Sequence, residues 1–197
     1  LSLAERSLDW DSGLNWKPDS GIKISIYNST VEKIESYAIR GFIHEIVIDS
    51  SVVNVLKSYA VSNINNMNDI MIINSTINQI ETQAFKKFNL DKLHVKMCKF
   101  KELPSRMFSD LKLSKEFVFD SNEVERIRSS FCIINDTEIV RFENCKIGIM
   151  DGDSLKMVTA GPVFIHNNII DEIKTKAFLG ISVKEEITTR RGKFNLI

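Results

Sequence analysis

Apolar residues recur along most of this chain in a pattern that repeats every 22 to 24 residues. Each unit opens with two apolar residues on either side of a single position, as at Ile24 and Ile26. Further apolar residues follow five and eight positions after the second of them, as at Val31 and Ile34. The seven units open at Ile24, Ile46, Ile70, Leu93, Phe117, Val140 and Val163. This regular spacing indicates an internal repeat.

Each unit has a local structure that its pattern predicts. The apolar-x-apolar opening has the two-residue period of a short strand with one buried face. The later apolar positions belong to a turn and a return segment, and an Ala-Phe pair closes two of the units, at Ala84-Phe85 and Ala177-Phe178. A unit this small cannot bury its own apolar face, but stacked neighbours share one core. The openings are therefore predicted to form a parallel sheet with strands about 4.8 Å apart.

The unit resembles the leucine-rich repeat, whose signature is L-x-x-L-x-L-x-x-N/C-x-L. The N/C position of that signature is occupied by Ser29, Ser51, Ser75, Cys98, Asn122, Cys145 and Asn168. The resemblance implies that these side chains point inward and hydrogen-bond the backbone between successive turns. The trailing phenylalanines resemble the buried spine of extracellular-type repeats; they are Phe85, Phe108, Phe131 and Phe178. Two departures are the use of Ile, Val and Phe more than Leu and the lack of cysteine-rich caps.

The resemblance implies an α/β fold, a leucine-rich-repeat solenoid shaped as a horseshoe, with about seven repeats and a parallel concave sheet. The structural alternative is a parallel β-helix, which has coils of similar length with three short strands each. The segment 80–88, IETQAFKKF, has a composition that suits an α- or 3₁₀-helix, and this favours the horseshoe.

The pattern divides the chain into three parts. Residues 1–20 are predicted to be an N-terminal cap in which Trp10 and Trp16 cover the first turn, because exposed solenoid ends aggregate. Residues 21–180 hold the repeats. Residues 181–197 are a C-terminal cap or the start of a further repeat, with Phe194-Asn-Leu196 as the candidate eighth strand. The first residue, Leu1, predicts a processed or trimmed product.

Charge and motifs then reduce the number of function classes that the sequence allows. Lys plus Arg and Asp plus Glu number 26 each, so no global field favours nucleic acid or anionic lipid. No apolar run approaches the roughly 18 residues of a membrane span. Catalytic and phosphate-binding motifs do not occur, and the three histidines fall in different repeats. The sequence therefore predicts a protein that is not an enzyme and has no cofactor or metal. One alternative is a carbohydrate-active β-helix enzyme using the carboxylates of Asp120 and Glu143.

Cysteines and sequons bear on the compartment. Cys98, Cys132 and Cys145 are predicted to be buried, unpaired thiols, which suits a reducing compartment or a secreted protein without disulfides. Three Asn-x-Ser/Thr sequons are possible glycosylation sites, at Asn28, Asn74 and Asn135. We therefore expect a secreted, extracellular glycoprotein, with a cytoplasmic location as the alternative.

Residues that alternate with the buried strand positions would line the concave face. Several are apolar without being needed for the core, and a contiguous exposed apolar patch suggests an interaction site. The predicted partner-binding set is Tyr27, Val47, Asp49, Met71, Ile73, His94, Lys96, Met97, Val118, Asp120, Arg141, Glu143, Phe164 and His166. The prediction is a non-enzymatic module that binds a protein partner. A structural or self-assembling repeat protein that forms homo-oligomers is the alternative from a different class.

Overall fold

The computed structural model describes residues 2–3, 8–9, 21–159 and 161–196. Within these residues every regular element is a β-strand and no helix occurs. The strands form a parallel β-solenoid of about seven turns. The predicted α/β horseshoe is therefore wrong, because that fold needs a helical return in each repeat. The described residues also contain no helix long and apolar enough to cross a membrane.

Each coil contributes strands to three faces. Face 1 is built by Ile22–Tyr27, Ile43–Asp49, the second halves of Val61–Ile73, Phe85–Lys96 and Phe108–Asp120, then Ile139–Glu143, Val163–His166 and Ile187–Arg190. Face 2 is built by Ser2–Leu3, Thr30–Ile34, Val52–Leu56, Thr76–Ile80, Lys99–Leu103, Glu123–Ile127, Lys146–Met150, Ile169–Ile173 and Lys193–Leu196. Face 3 is built by Leu8–Asp9, Ile39–Gly41, the first halves of the three long strands, then Cys132–Thr137, Leu155–Thr159 and Ile181–Val183. Faces 3 and 1 belong to one sheet because the long strands run through both.

The predicted helical segment 80–88 shows why the return is a strand. Gln83 adopts a φ of 59°, which ends any helix at that point. Its amide donates to the carbonyl of Arg106 on the next coil, 3.0 Å away, and the amide of Phe85 donates to Met107. The backbone bonds therefore run between coils and not along the segment. A short apolar run does not by itself distinguish a strand from a helix.

The core fills the space between the three faces. Strands of face 2 bury their second and fifth residues, as at Val53 and Leu56. Phenylalanine rings stack along the axis: the centroids of Phe85 and Phe108 are 4.9 Å apart, and those of Phe119 and Phe142 are 5.0 Å apart. Phe178, predicted to belong to the buried spine, is only partly buried against this core. The apolar repeat thus produces a continuous column of contacts.

The corner between faces 1 and 2 carries two rows of side chains. The outer row has a left-handed backbone and consists of Asn28, Ser50, Asn74, Met97, Ser121, Asn144, Asn167 and Arg191. The inner row is the signature position: Ser29, Ser51, Ser75, Cys98, Asn122, Cys145 and Asn168. From Ser51 onward the inner row is buried, while Ser29 is half-buried. Asparagine and serine suit the outer row because short polar side chains tolerate this conformation.

The inner row binds the backbone between coils, as the signature position implied. The Asn122 side chain accepts from the Cys98 amide at 2.9 Å and donates to the Val95 carbonyl at 2.9 Å. A serine in this row makes the same kind of contact with a shorter side chain. Ser75 Oγ accepts a hydrogen bond from the Ser51 amide at 3.1 Å. The feature is common to both folds because each must satisfy the peptide groups at a sharp corner.

The ends continue the parallel sheets. Ser2–Leu3 pairs with Thr30–Ile34, and Leu8–Asp9 pairs with Ile39–Gly41. Trp10 and Trp16, predicted to cap the first turn, lie outside the described residues. After residue 180 the chain adds one strand to each face. The eighth strand of face 1 is Ile187–Arg190, whereas Lys193–Leu196, which contains the candidate eighth strand Phe194-Asn-Leu196, belongs to face 2.

Candidate functional site

The residues predicted for the concave face, except Met97, lie on face 1, where neighbouring coils pair in register. One column runs through Ser25, Val47, Met71, His94, Val118, Arg141 and Phe164. The next runs through Tyr27, Asp49, Ile73, Lys96, Asp120, Glu143 and His166. A horseshoe curves because helices pack about 8–10 Å apart and strands about 4.8 Å apart. Coils with strands on every face have no such difference in spacing. The curvature that would make face 1 concave is therefore not expected.

Exposure separates the predicted apolar residues into three groups. Val47 and Val118 are buried, only 3% and 6% exposed. Met71, Ile73 and Phe164 are half-buried. Tyr27 and Met97 are exposed, and Met97 belongs to the outer row of the corner and not to face 1 itself. The apolar contact area is therefore smaller than the sequence predicted.

The later coils of face 1 hold a connected set that we call the arginine–aromatic cluster: Arg141, Glu143, Phe164 and His166. The Arg141 guanidinium lies 4.7 Å from the centroid of the Phe164 ring. The rings of Phe164 and His166 meet edge to face with centroids 5.5 Å apart. Glu143 Oε1 lies 3.3 Å from His166 Nδ1 and 3.8 Å from Arg141 Nη1. These contacts hold a half-exposed guanidinium and an aromatic ring in fixed positions.

The other histidines are also paired on face 1. His94 Nε2 lies 2.9 Å from Glu116 Oε1, and His44 Nε2 lies 2.8 Å from Asn68 Nδ2. Among the described residues, no group of three His, Cys, Asp or Glu side chains has a geometry that could hold a metal. The polar groups of face 1 therefore mainly fix one another.

Asp120 and Glu143, the carboxylates considered for sugar chemistry, lie on adjacent coils of face 1. Asp120 Oδ1 accepts from Asn144 Nδ2 at 2.7 Å and from Ser121 Oγ at 3.1 Å. The Glu143 carboxylate lies close to Arg141 and His166 within the arginine–aromatic cluster. Asp120 is thus a hydrogen-bond acceptor for a residue of the next coil, and Glu143 lies within ion-pair distance of Arg141 and His166.

The cysteines are buried and unpaired, as the sequence predicted. Burial raises the pKa of the Cys98 thiol to about 11 and that of Cys145 to about 12. Burial also raises the pKa of Cys132 well above its ordinary value. A thiolate is the reactive form, so these three thiols are poor nucleophiles at neutral pH.

The three sequon asparagines are exposed. Asn28 and Asn74 lie in the outer row, and Asn74 Nδ2 donates to Ser50 Oγ at 3.2 Å. Asn135 lies in the strand Cys132–Thr137, whose last residue is buried, with its hydroxyl donating to backbone carbonyls. Asn28 combines an exposed asparagine with an exposed Thr30 two positions later.

Face 2 is the surface that the sequence reasoning missed, because its strands were interpreted as a turn and a return segment. An open groove of about 1000 Å³ runs along it past Asn78, Lys101, Glu125, Gly148 and Ile169. The available signal was the exposed charge at two alternate positions in consecutive repeats, Lys99 with Lys101 and Glu123 with Glu125.

Comparison with known proteins adds no family to this description. No family model matches the sequence, and neither a curated protein nor a solved structure matches it.

Proposed function

We propose that this chain is a non-enzymatic binding module that recognises a protein partner through face 1. The observation that carries the proposal is the arginine–aromatic cluster, in which Arg141 lies over the Phe164 ring on a sheet surface. Arginine and aromatic side chains are enriched among the residues that dominate binding energy at interfaces. Their neighbours on the sheet already restrain them, so binding costs little side-chain entropy.

The length of face 1 supports a macromolecular partner. Tyr27 lies on the first complete coil and His166 six coils later in the register. Six spacings of about 4.8 Å give roughly 29 Å between these residues. A typical protein interface buries about 800 Å² on each side, which needs a surface of this length.

The proposal includes secretion and glycosylation, supported by three exposed sequon asparagines. Asn28 is the preferred acceptor because both its asparagine and its threonine are exposed. Expression through a secretory pathway, followed by intact-mass measurement, tests this. We expect a glycan mass that Asn28→Gln removes or reduces, and an unglycosylated product would contradict it.

The binding proposal is tested by site-specific photocrosslinking. A photoreactive phenylalanine analogue replaces Phe164 on face 1, Lys101 on face 2 or Lys156 on face 3, and adducts from the native source are identified by mass spectrometry. We expect one partner protein captured from the Phe164 position and not from the other two. Equal capture from all three positions would contradict the use of face 1.

Charge reversal then measures the contribution of the cluster. Arg141→Glu should weaken binding of the identified partner about tenfold or more, as expected for an interface arginine. Arg128→Glu is the matched control, since Arg128 is 39% exposed against 40% for Arg141 and is also paired with a glutamate. An equal loss in both variants would indicate nonspecific electrostatics and not recognition by face 1.

A further inference from the structure

The outward charges of face 2 reverse sign between its two central strands, Lys99–Leu103 and Glu123–Ile127. Lys99 lies in register with Glu123, and Glu102 lies in register with Arg126. Between these pairs, Lys101 and Glu125 occupy the corresponding central position of each strand. Three consecutive outward columns therefore place a positive charge on one strand beside a negative charge on the other.

Ion pairs within the chain involve only some of these charged side chains. Lys99 Nζ lies 3.4 Å from Glu123 Oε2, and Arg128 Nη2 lies 2.7 Å from Glu102 Oε2. Lys101 and Glu125 are both exposed, and neither side chain makes a hydrogen bond or ion pair with any residue that the structure describes. The centre of face 2 thus presents one unused charge of each sign on neighbouring coils.

A surface with this pattern is complementary to itself. Consider a two-fold axis in the plane of face 2, parallel to its strands and midway between the two central ones. This rotation places each outward column against the same column of a second copy and reverses the order of the coils. Lys101 then faces Glu125 of the second copy, and Glu125 faces Lys101. Such isologous contacts are the commonest way in which identical chains associate.

We propose that face 2 docks a second copy of this chain in that antiparallel, face-to-face arrangement. The proposal is independent of the partner bound by face 1.

The flanking coils fit the same operation. The pairs brought together are Thr76 with Lys146, Asn78 with Gly148, Val52 with Ile169 and Asn54 with Asp171. No like charges meet in these pairs, and the half-buried Val52 would cover Ile169, which is 45% exposed. Gly148 has no side chain to obstruct Asn78, and a Cβ at this glycine would lie 2.5 Å from the Glu125 carbonyl oxygen.

The size of the face determines the expected strength. A strand of five residues is about 16 Å long, and six coils span about 24 Å, so the contact covers roughly 400 Å². This is about half of the area that each partner buries in a stable complex. The dimer should therefore be weak, with a dissociation constant on the order of 100 μM.

Sedimentation velocity over about 10 μM to 1 mM, at low salt, tests the proposal with five proteins. The wild type should dimerise across this range. Lys101→Glu and Glu125→Lys should each weaken dimerisation at least tenfold, because like charges would then face each other. The double variant Lys101→Glu/Glu125→Lys should restore it, since the swap preserves self-complementarity. Lys112→Glu, at an exposed position on face 3, controls for net charge.

A wild type that stays monomeric, or a dimer that neither single reversal weakens, would overturn the proposal. So would two single reversals whose combination restores nothing while circular dichroism shows all variants folded.

A cysteine pair gives a second readout that does not depend on charge. Thr76 and Lys146 lie three coils apart in one chain, about 14 Å by strand spacing. In the proposed dimer they face each other across two sheets packed about 10 Å apart, so a short thiol-to-thiol crosslinker should join Thr76→Cys/Lys146→Cys into covalent dimers. Thr30→Cys/Lys146→Cys, displaced by two coils, is the control. No dimer from the first pair, or equal yields from both, would overturn the arrangement.

Discussion

The inner and outer rows of the corner between faces 1 and 2 use similar residues in very different surroundings. Asn122, in the inner row, is completely buried, and its amide spans two coils through bonds to Cys98 and Val95. Asn144, in the outer row, is exposed and bonds to the side chains of Asp120 and Asn167. Both amides make two hydrogen bonds of similar length. Only the inner one would leave buried backbone groups without partners if it were lost, and water can replace the outer one.

Asn122→Ala should have the largest effect. The variant leaves the Cys98 amide and the Val95 carbonyl buried without partners, at a cost of about 3 kcal/mol in unfolding free energy. Chemical denaturation of the folded protein measures this loss. Asn144→Ser is the outer-row control, because serine occupies the same position at Ser50 and Ser121, and it should cost under about 0.5 kcal/mol. Equal losses would mean that burial does not distinguish the two rows.

The buried thiols of the inner row allow the two rows to be compared at alkaline pH. Cys98 and Cys145 belong to the inner row, and burial raises their pKa from 9.0 to about 11 and about 12. Only the unfolded chain loses these protons readily. The stability that the buried thiols contribute to the folded state is therefore fully present below pH 9 and declines as the pH rises through 11. The decline should reach on the order of 2 kcal/mol per thiol.

The measurement is the unfolding free energy from pH 8 to pH 11 for the wild type and for Cys98→Ser, whose hydroxyl does not titrate in this range. The alkaline slope should be smaller in the variant. Native protein should also react with a thiol reagent only as fast as it opens. Rapid labelling of Cys98 in the folded state would contradict its burial.

Met97 tests the outer row through a substitution that should stabilise the folded chain. It is 54% exposed and has a φ of 54°, a conformation that asparagine tolerates better than methionine. Met97→Asn should therefore stabilise the chain by about 0.5 to 1 kcal/mol, measured by denaturation. Met97→Ala, which keeps the backbone strain, should not. If Met97 contacts the proposed partner, the asparagine variant should bind more weakly while being more stable, which separates the two roles.

The sequence predicted the repeat, its phase and the inner row because each depends on the spacing of residues within one coil. The inward positions of Val31 and Ile34 followed from the pattern alone, whereas that of Asn122 was implied by the resemblance to the leucine-rich repeat. The fold class was wrong because the segment around Gln83 has helix-compatible residues, and its backbone partners lie one coil away, at Arg106. Covered residues such as Val47 and an exposed surface such as face 2 depend on contacts between coils. A pattern read along one coil does not contain that information.

The smallest expected effect is at the outer side of the next corner, between faces 2 and 3. A hydrogen bond from Lys57 lowers the pKa of the Glu81 carboxyl, and the Ser58 amide adds to this. A lowered carboxyl pKa stabilises the folded state above the unfolded value, and this stability is lost as the pH falls through the folded value. Since both side chains are about one-third exposed, the effect should stay below about 1 kcal/mol. Glu81→Gln should flatten the acid limb of the stability curve by that amount, whereas Asn122→Ala should shift the whole curve down without changing its slope. A flattening as large as the Asn122 loss would show that exposed contacts stabilise the solenoid as much as buried ones.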